Sequence, residues 1–442
     1  MTQNPLTTDI PYVDIFGKTL TEAFPTQFLD QTAKDTRLVK RERKIKPAML
    51  FWAFVFTIGV RIERSLSMLK RNYEIMSRTT LSDSSWYERF SPELAEFFHR
   101  CAIRGIEHLA QGAHRAVSER LKTFLDVIIA DSTVIRLNEK LAKYWPTTRT
   151  RKAAAGIKVG VIVSAFANSL KSVSIFGERT SELKTLRIGP WIRDRILIFD
   201  LGYYAHQLFA RIKDNKGYFI SRVKNIADPL IISSLRSCRG NSIDLVGKHI
   251  REVLPKLQRQ VLDLIVEVKL KRRSYNGKMS GDTERFRLVA IYNIEDRKYH
   301  LYITNICAEV LTAEEIAKLY GARWEIELVF KELKSKYAFD AIKTTKKFIV
   351  EALVWSTIVV LLVSRLIYNE VRLIGETQGK SIVRFTQMRW STIFAEGSDK
   401  YLMAVMQYLG MEFTIGDLIA VQTSEALDPH VNRRRFRDGL WA

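Results

Sequence analysis

Cysteine is the scarcest residue in this chain. Three occur among 442 residues, Cys101, Cys238 and Cys307, far apart and odd in number. There is no Cys-x-x-Cys pair and no Cys/His cluster. That argues against a disulfide framework and a zinc site, and it fits a reducing cytosol. Internal repeats and low-complexity tracts are also absent, which excludes a solenoid array and a compositionally biased tail. The opening Met1-Thr2-Gln3-Asn4-Pro5 lacks a charged head followed by an apolar run, so no signal peptide is expected. Acidic residues are in short supply. Asp and Glu number 48 against 70 Lys and Arg, giving a formal charge of +22 and a pI near 9.8. A polyanionic partner is the natural consequence: nucleic acid first, an anionic membrane surface second.

Apolar residues, by contrast, are plentiful. They make up 47% of the chain, enough for a globular fold and too many for disorder. At roughly 100–200 residues per domain, two to four domains are expected. Two apolar stretches invite a membrane reading. Met49 to Val60 is too short to span a bilayer. Phe348 to Ile367 is long enough, but it carries Glu351 and Arg365. A span needs about twenty predominantly apolar residues, and charge within it is costly. A central core helix is the favoured reading.

Residues 1 to 122 read as helical. Thr19 to Leu29 is weakly amphipathic. Lys40 to Lys46 is a basic run, after which Pro47 opens an apolar helix. Arg61 to Met76 comes next, with Leu66, Met68 and Leu69 inward. Ser82 to Ser85 offers caps before Trp86, and Pro92 opens a helix through Phe97, Phe98 and Ile103. Short helices with basic outer faces suit a small DNA-binding domain.

The pattern changes at Leu125. Asp126 to Ile135 is β-branched and apolar, a strand. Gly156 to Phe166 and Leu170 to Phe176 read as two more, joined by Ala167-Asn168-Ser169. Arg195 to Asp200 is a buried strand ending at the Gly202 turn. Tyr204 to Lys213 is a helix and Gly217 to Val223 another strand. The class is α/β with a mixed sheet. Residues 225 to 305 look like a β-rich insertion, with strands at Leu262 to Lys271, Phe286 to Tyr292 and Tyr299 to Thr304. Ahead of the last two lies the polar Ser274-Tyr275-Asn276-Gly277-Lys278. From Thr312 the chain is helical to about Lys336. Past about 375 it is again helical, ending in the basic Arg433 to Arg437, which reads as solvated.

Successive helical residues turn by about 100°. Across Tyr320 to Tyr337, that places Ala322, Ile326, Val329, Phe330, Leu333 and Tyr337 on a core stripe. Tyr320, Arg323, Glu327, Lys331 and Lys334 fall on an adjoining one. Glu325 and Glu332 point elsewhere, beside Leu328. Salt bridging at four-residue spacing explains this helix taken alone. Two aspartates change the balance. Asp131 follows the apolar Val127 to Ala130, and Asp200 closes Ile196 to Phe199. Carboxylates there are expensive unless paired, hydrogen-bonded or bound to metal. Two such aspartates with one helix glutamate make an oxygen-rich site suited to Mg2+, with Mn2+ able to substitute. Two metals so held stabilise both oxygens of an in-line phosphoryl displacement. Asp126 is a rival acid, but no apolar run precedes it.

The run Tyr320-Gly321-Ala322-Arg323-Trp324-Glu325-Ile326-Glu327, continuing to Lys334, resembles the signature of the insertion-sequence-four family of prokaryotic DDE transposases. That signature is Tyr, two residues, Arg, three residues, Glu, six residues, Lys, and Tyr320, Arg323, Glu327 and Lys334 fill its positions. Asp131-Ser132-Thr133 resembles the first catalytic block of the family and Asp200-Leu201-Gly202-Tyr203 the second. The resemblance covers roughly residues 120 to 370. It implies an RNase H-like catalytic domain with a β-strand insertion, flanked by helical N- and C-terminal regions. It also implies metal-dependent cleavage at transposon ends with water as first nucleophile, then attack by the freed 3′-hydroxyl. Asp131, Asp200 and Glu327 would hold the metals, and Tyr320, Arg323, Lys331 and Lys334 would grip phosphates. Its partners would be double-stranded DNA, as terminal inverted repeats and target, with a dimer on DNA at the nucleoid. Family members that form hairpin ends stack a flipped base on a tryptophan of the insertion. Here residues 225 to 305 contain none, and Tyr299, His300 or Tyr302 stands on the corresponding strand.

The implied organisation is a helical DNA-binding domain (1–122), a catalytic core in two parts (123–224 and 306–374) around the insertion (225–305), and a helical C-terminal region (375–442). The rival readings are a catalytically silent DNA-holding descendant, another RNase H-like nuclease, and a membrane protein built on Phe348 to Ile367. His206 reads as structural or phosphate-facing, and Trp324 as a packing residue.

Overall fold

Helix boundaries follow residues that supply or forgo a backbone donor. The computed structural model describes residues 10–40, 44–58, 65–111, 118–148, 155–236, 244–257, 259–270, 281–381 and 385–411, with 416, 419, 421 and 423. Cys238, Ser274 to Lys278, Arg433 to Arg437 and parts of the Lys40 and Arg61 runs lie outside them. Two units emerge. One is Ala110–Phe330; the other combines Met1–Leu109 with Lys331–Ala442.

The second unit begins with α1 (Ile10–Ala23) and α2 (Thr26–Asp35). The amphipathic run Thr19 to Leu29 is therefore two helices. Pro25 has no N–H to donate to α1, so the chain breaks there and restarts. Pro47 opens α3 (Pro47–Ile58). The hydroxyl of Ser65 accepts from the Met68 N–H to start α4 (Leu66–Ser77). Ser82 caps α5 (Asp83–Tyr87) in the same way, and Pro92 opens α6 (Pro92–Ala110). Phe51, Trp52, Phe54, Trp86, Phe97 and Phe98 are all buried, and Phe54 packs on Phe98 at 4.8 Å between ring centroids.

The other unit is built on one mixed sheet. Its strands are β1 (Asp126–Leu137), β2 (Ala155–Ser164), β3 (Ser169–Gly177), β4 (Arg195–Phe199), β5 (Tyr218–Arg222), β6 (Leu230–Ser234), β7 (Val261–Lys269), β8 (Thr283–Asn293) and β9 (Lys298–Thr304). Their order is β3-β2-β1-β4-β5-β9-β8-β7-β6. β1, β4 and β5 run parallel, and the other pairings are antiparallel. Over their paired stretch the parallel strands are mainly apolar, as strands covered on both faces must be. Ile128, Leu197, Phe199, Phe209 and Phe219 share one core with Leu264 and Phe286. Short helices α7 (Glu182–Thr185), α8 (His206–Asp214) and α9 (Ile250–Val253) connect the strands.

The β-rich stretch is continuous with this sheet through β5–β9 pairing, and a buried polar knot fastens it to the loop after β9. The guanidinium of Arg287 on β8 donates twice to Asp263 on β7, at 2.7 Å each. It also donates to the carbonyls of Ile306 (3.1 Å) and Leu311 (2.7 Å). That fixes the loop leading to α10 (Ala313–Tyr320), whose start is a capping box between Thr312 and Glu315. A 3-10 turn at Gly321–Arg323 separates α10 from α11 (Trp324–Lys336), so the continuous helix expected from Thr312 is interrupted.

The division between units falls inside α11. Its last residues belong with α12 (Lys347–Thr377), α13 (Gln387–Glu396) and α14 (Ser398–Tyr408). α12 is the one described helix long and apolar enough to cross a membrane, and 89% of its apolar window is buried within protein. Arg365, the charge that spoils a span, pairs with Glu332 of α11. Both side chains are buried. The Tyr337 hydroxyl lies within hydrogen-bond distance of the Glu332 carboxylate (3.1 Å) and the Ser364 hydroxyl (2.9 Å), and the Trp390 indole donates to the Ser364 carbonyl (3.0 Å).

Removing one partner of a buried pair strands a charge, whereas replacing both with apolar residues often costs little. Glu332→Gln or Arg365→Met should each destabilise the unit by about 3–5 kcal/mol in urea unfolding. The double variant Glu332→Leu/Arg365→Met should recover most of that loss. Single and double variants of equal stability would refute the pair's role.

Candidate active site

Parallel pairing of β1 with β4 ends at Ala130 opposite Phe199. The next residue on each chain is a carboxylate, Asp131 and Asp200. Register alone therefore brings these two acids side by side where the parallel pairing ends and β4 stops, the edge at which open α/β sheets place their ligand sites. Asp131 accepts from the Ser132 N–H at 2.7 Å. Burial pushes its carboxyl up to about 6 against that bond, and the neighbouring charge of Asp200 adds to the rise.

Asp126, the rival acid, is five residues earlier and faces the other side of the strand. It is buried and accepts from the Ser164 hydroxyl (2.9 Å) and the Phe166 N–H (3.4 Å). Those bonds hold the turn between β2 and β3, so Asp126 is a structural acid.

Arg323 leaves the 3-10 turn and meets Glu327 at 2.5 Å. Burial works against its charge, but the Glu327 carboxylate and the nearby Tyr320 and Asp200 raise its pKa further. The same guanidinium lowers the Asp131 carboxyl and lies 5.9 Å from the Tyr320 ring centre. Arg323 thus stands as a cation among Asp131, Asp200 and Glu327. Tyr320 is buried, its hydroxyl is pushed up to about 12 by burial, and that hydroxyl has no hydrogen-bond partner among the described residues.

The expected residues come together unevenly. Asp131, Asp200, Arg323 and Tyr320 interact through charge, and Glu327 joins through Arg323. Among the described residues no three of His, Cys, Asp and Glu are close enough to hold a metal ion. The two aspartates suit a hard cation, since Asp131 is half-buried beside a like charge with one backbone donor. Glu327 is held by Arg323 through one carboxylate oxygen. Lys331 and Lys334 lie further along α11, in the other unit.

Other expectations shift. Trp324 is 59% exposed at the start of α11, so it is not a core packing residue. His206 is structural: Nδ1 lies 3.0 Å from the Lys269 carbonyl and Nε2 3.1 Å from the Tyr204 hydroxyl. On β9, Tyr302 is buried against Tyr320 at 5.2 Å, His300 bonds Asp296 at 2.7 Å, and Tyr299 packs on Tyr292 at 5.1 Å.

One acid escaped sequence reasoning. Glu182, on the α7 turn, lies close enough to Asp131 and Tyr203 to raise both pKa values. It is separated from Asp131 by about fifty residues, and no local pattern marks it.

Comparison with known proteins decides the class. Residues 122–363 match the family model described as the transposase DDE domain, more than half of the chain. The chain belongs to the DDE transposases. It is 22% identical over 395 residues to the transposase for insertion sequence element IS1151 of Clostridium perfringens, covering 83% of each protein. It is 22% identical over 376 residues to the transposase for IS231F of Bacillus thuringiensis subsp. israelensis, covering 76% of this chain and 75% of the relative. The putative transposase InsL for IS186A of Escherichia coli K12 matches over 80 residues at 29% identity, 18% of this chain and 22% of that one. This DDE transposase is accordingly an enzyme of metal-dependent DNA cleavage and strand transfer. The mixed α/β sheet flanked by helices is the RNase H-like fold expected of it.

The two strand acids differ in a measurable way. Asp126→Ala should lower unfolding free energy by about 1–3 kcal/mol, since it orphans buried donors. Asp131→Asn should leave the melting temperature in chelator unchanged or raised, because it removes one of two like charges. Thermal melts in EDTA check both, and a large loss for Asp131→Asn would contradict the assignment.

Proposed function

We propose that this transposase mobilises an insertion sequence, with Asp131, Asp200 and Glu327 as its metal-holding acids. The supporting observation is the register that sets Asp131 beside Asp200, with Arg323 joining Glu327 to them by charge. Mg2+ is the natural cation for such oxygens, with Mn2+ substituting. When bound, it would lower the pKa of water and neutralise charge on the scissile phosphate. The protein's own task is to set the acids and hold the DNA.

Tyr320, Arg323, Lys331 and Lys334 then grip phosphates of the transposon end. The unpartnered Tyr320 hydroxyl supports this, because a buried donor without an acceptor is costly. A groove of about 540 Å3 supports it too. Lys171, Arg187 and Trp191 line it beside Thr185. Neither cation has a hydrogen-bond or ion-pair partner for its side chain among the described residues, and the chain carries +22 overall. The substrates are double-stranded terminal inverted repeats and target DNA, bound by a dimer in the cytoplasm at the nucleoid. Residues 1–122 act as a DNA-binding domain and 225–305 as the insertion of the catalytic core.

Asp131→Ala, Asp200→Ala and Glu327→Ala should each cut Mg2+-dependent nicking of end-bearing DNA by roughly a thousandfold or more, the several kcal/mol a metal site supplies. DNA affinity should survive. Binding without cleavage under any metal in the unaltered protein would refute the enzyme reading. Lys331→Ala and Lys334→Ala should each reduce the slope of log affinity against log salt by about 0.9. An unchanged slope would remove that lysine from the interface.

A further inference from the structure

The outermost strand, β3, carries a bulge that re-aims a lysine. Its register on β2 is regular as far as Gly160 with Ser174 and Ile162 with Ser172. The next pair is Val163 with Leu170, so Lys171 is the extra residue. Strand alternation would send Lys171 to the face opposite Ser172. The bulge instead lets both line one groove of about 540 Å3. Phe176 of the same strand lines it too, with Arg187 and Trp191 from the segment after α7. The groove leads toward the acids. Thr185, also in its lining, has its hydroxyl 3.2 Å from that of Tyr203. Burial does most to raise the Tyr203 pKa, and the charge of Asp131 adds to the rise. Gly160 lies in register between Ser132 of β1 and Ser174. A Cβ built on it would meet Phe176 at 3.5 Å and Thr185 at 3.7 Å, so a larger side chain would fill the space between them.

The lining is of two kinds. Lys171 and Arg187 are cations whose side chains have no hydrogen bond or ion pair among the described residues. Phe176 and Trp191 are aromatic, and the Trp191 indole is fixed by donating to the Arg187 carbonyl at 2.9 Å. An edge lysine and a bulge both guard a strand against pairing with another chain. That role calls for neither a second cation nor aromatic walls. Duplex DNA offers a groove its phosphates, for which cations suffice. An unpaired strand offers phosphates and base faces, and it is met by cations along the backbone and aromatic rings against the bases.

We propose that this groove binds a short unpaired stretch of DNA beside the acids, with Lys171 and Arg187 on its phosphates and Trp191 against a base. The proposal rests on the DNA-cleaving reading of the chain and adds a contact outside the Tyr320 to Lys334 segment. Gly160 keeps the floor clear for the strand.

The test uses the full-length protein in EDTA, so that no strand is cut. Fluorescence anisotropy follows binding of a short oligodeoxythymidine and of a mixed-sequence duplex. Trp191→Ala should weaken oligodeoxythymidine binding by roughly tenfold and leave duplex binding unchanged. Gly160→Leu should act in the same direction by filling the floor. Lys171→Ala and Arg187→Ala should each reduce the single-strand slope of log affinity against log salt by about 0.7. Neither cation supports the core, so both keep the test decisive should Trp191→Ala fold poorly. A photoreactive iododeoxyuridine in the same oligonucleotide should crosslink to the peptide holding Trp191. Equal losses on both probes would make the groove a duplex contact and overturn the proposal. Unchanged binding of both probes in every variant, with nicking still lost in Asp131→Ala, would overturn it and leave the enzyme reading in place. If the unaltered protein binds neither probe, the DNA reading falls and the proposal with it.

Discussion

The pairing of β1 with β4 is the constraint on which the site depends. Parallel hydrogen-bonding requires strands covered on both faces, and here they are filled by Ile128, Ile129, Ile196, Leu197 and Ile198. Neighbouring strands lie about 4.8 Å apart. Two carboxylates at their matched ends cannot drift away from each other without breaking the ladder. The repulsion is thus built into the backbone, and burial of the apolar strands meets its cost. Burial does most to raise the Asp131 carboxyl, and the neighbouring charge of Asp200 adds to that rise.

The surroundings of the pair answer that repulsion. Arg323 supplies positive charge to both aspartates and to Glu327. It is a cation on a tether: permanently charged, planar and able to serve carboxylate or phosphate. The 3-10 turn sets Arg323 apart from the regular helix that carries Glu327.

Periodic features were legible in the sequence, and contacts between distant segments were not. Most strands of residues 126–304 fall within a few residues of the apolar runs that predict them. Proline and serine signals locate α3, α5 and α6. Helical phase separates Glu327 from Glu332, and Glu332 proves to be buried on Arg365. Yet the sequence offers Arg365 only as an awkward charge in an apolar helix, because its partner lies 33 residues earlier. Glu182 is silent for the same reason. Its environment is made by Gly202, Tyr203 and Asp131, none of them local to it. Trp324, read as a packing residue though helical phase left it off the core stripe, is 59% exposed. Pro25 divides a run whose amphipathic pattern continues across the break.

These failures share a cause with the site itself. A buried charge is tolerable only where the fold supplies a partner, and partners come from remote segments. Arg287 and Asp263 satisfy each other and two loop carbonyls, and Glu332 and Arg365 satisfy each other with Tyr337. Asp131 and Glu182 have no such closure among the described residues. At the end of the β1–β4 ladder, Asp131 has one backbone donor and a like-charged neighbour, which leaves an opening in the protein's own pairing. The chemistry of that opening, oxygen anions beside a permanently charged guanidinium and an unpartnered phenol, suits a hard cation carrying a phosphate.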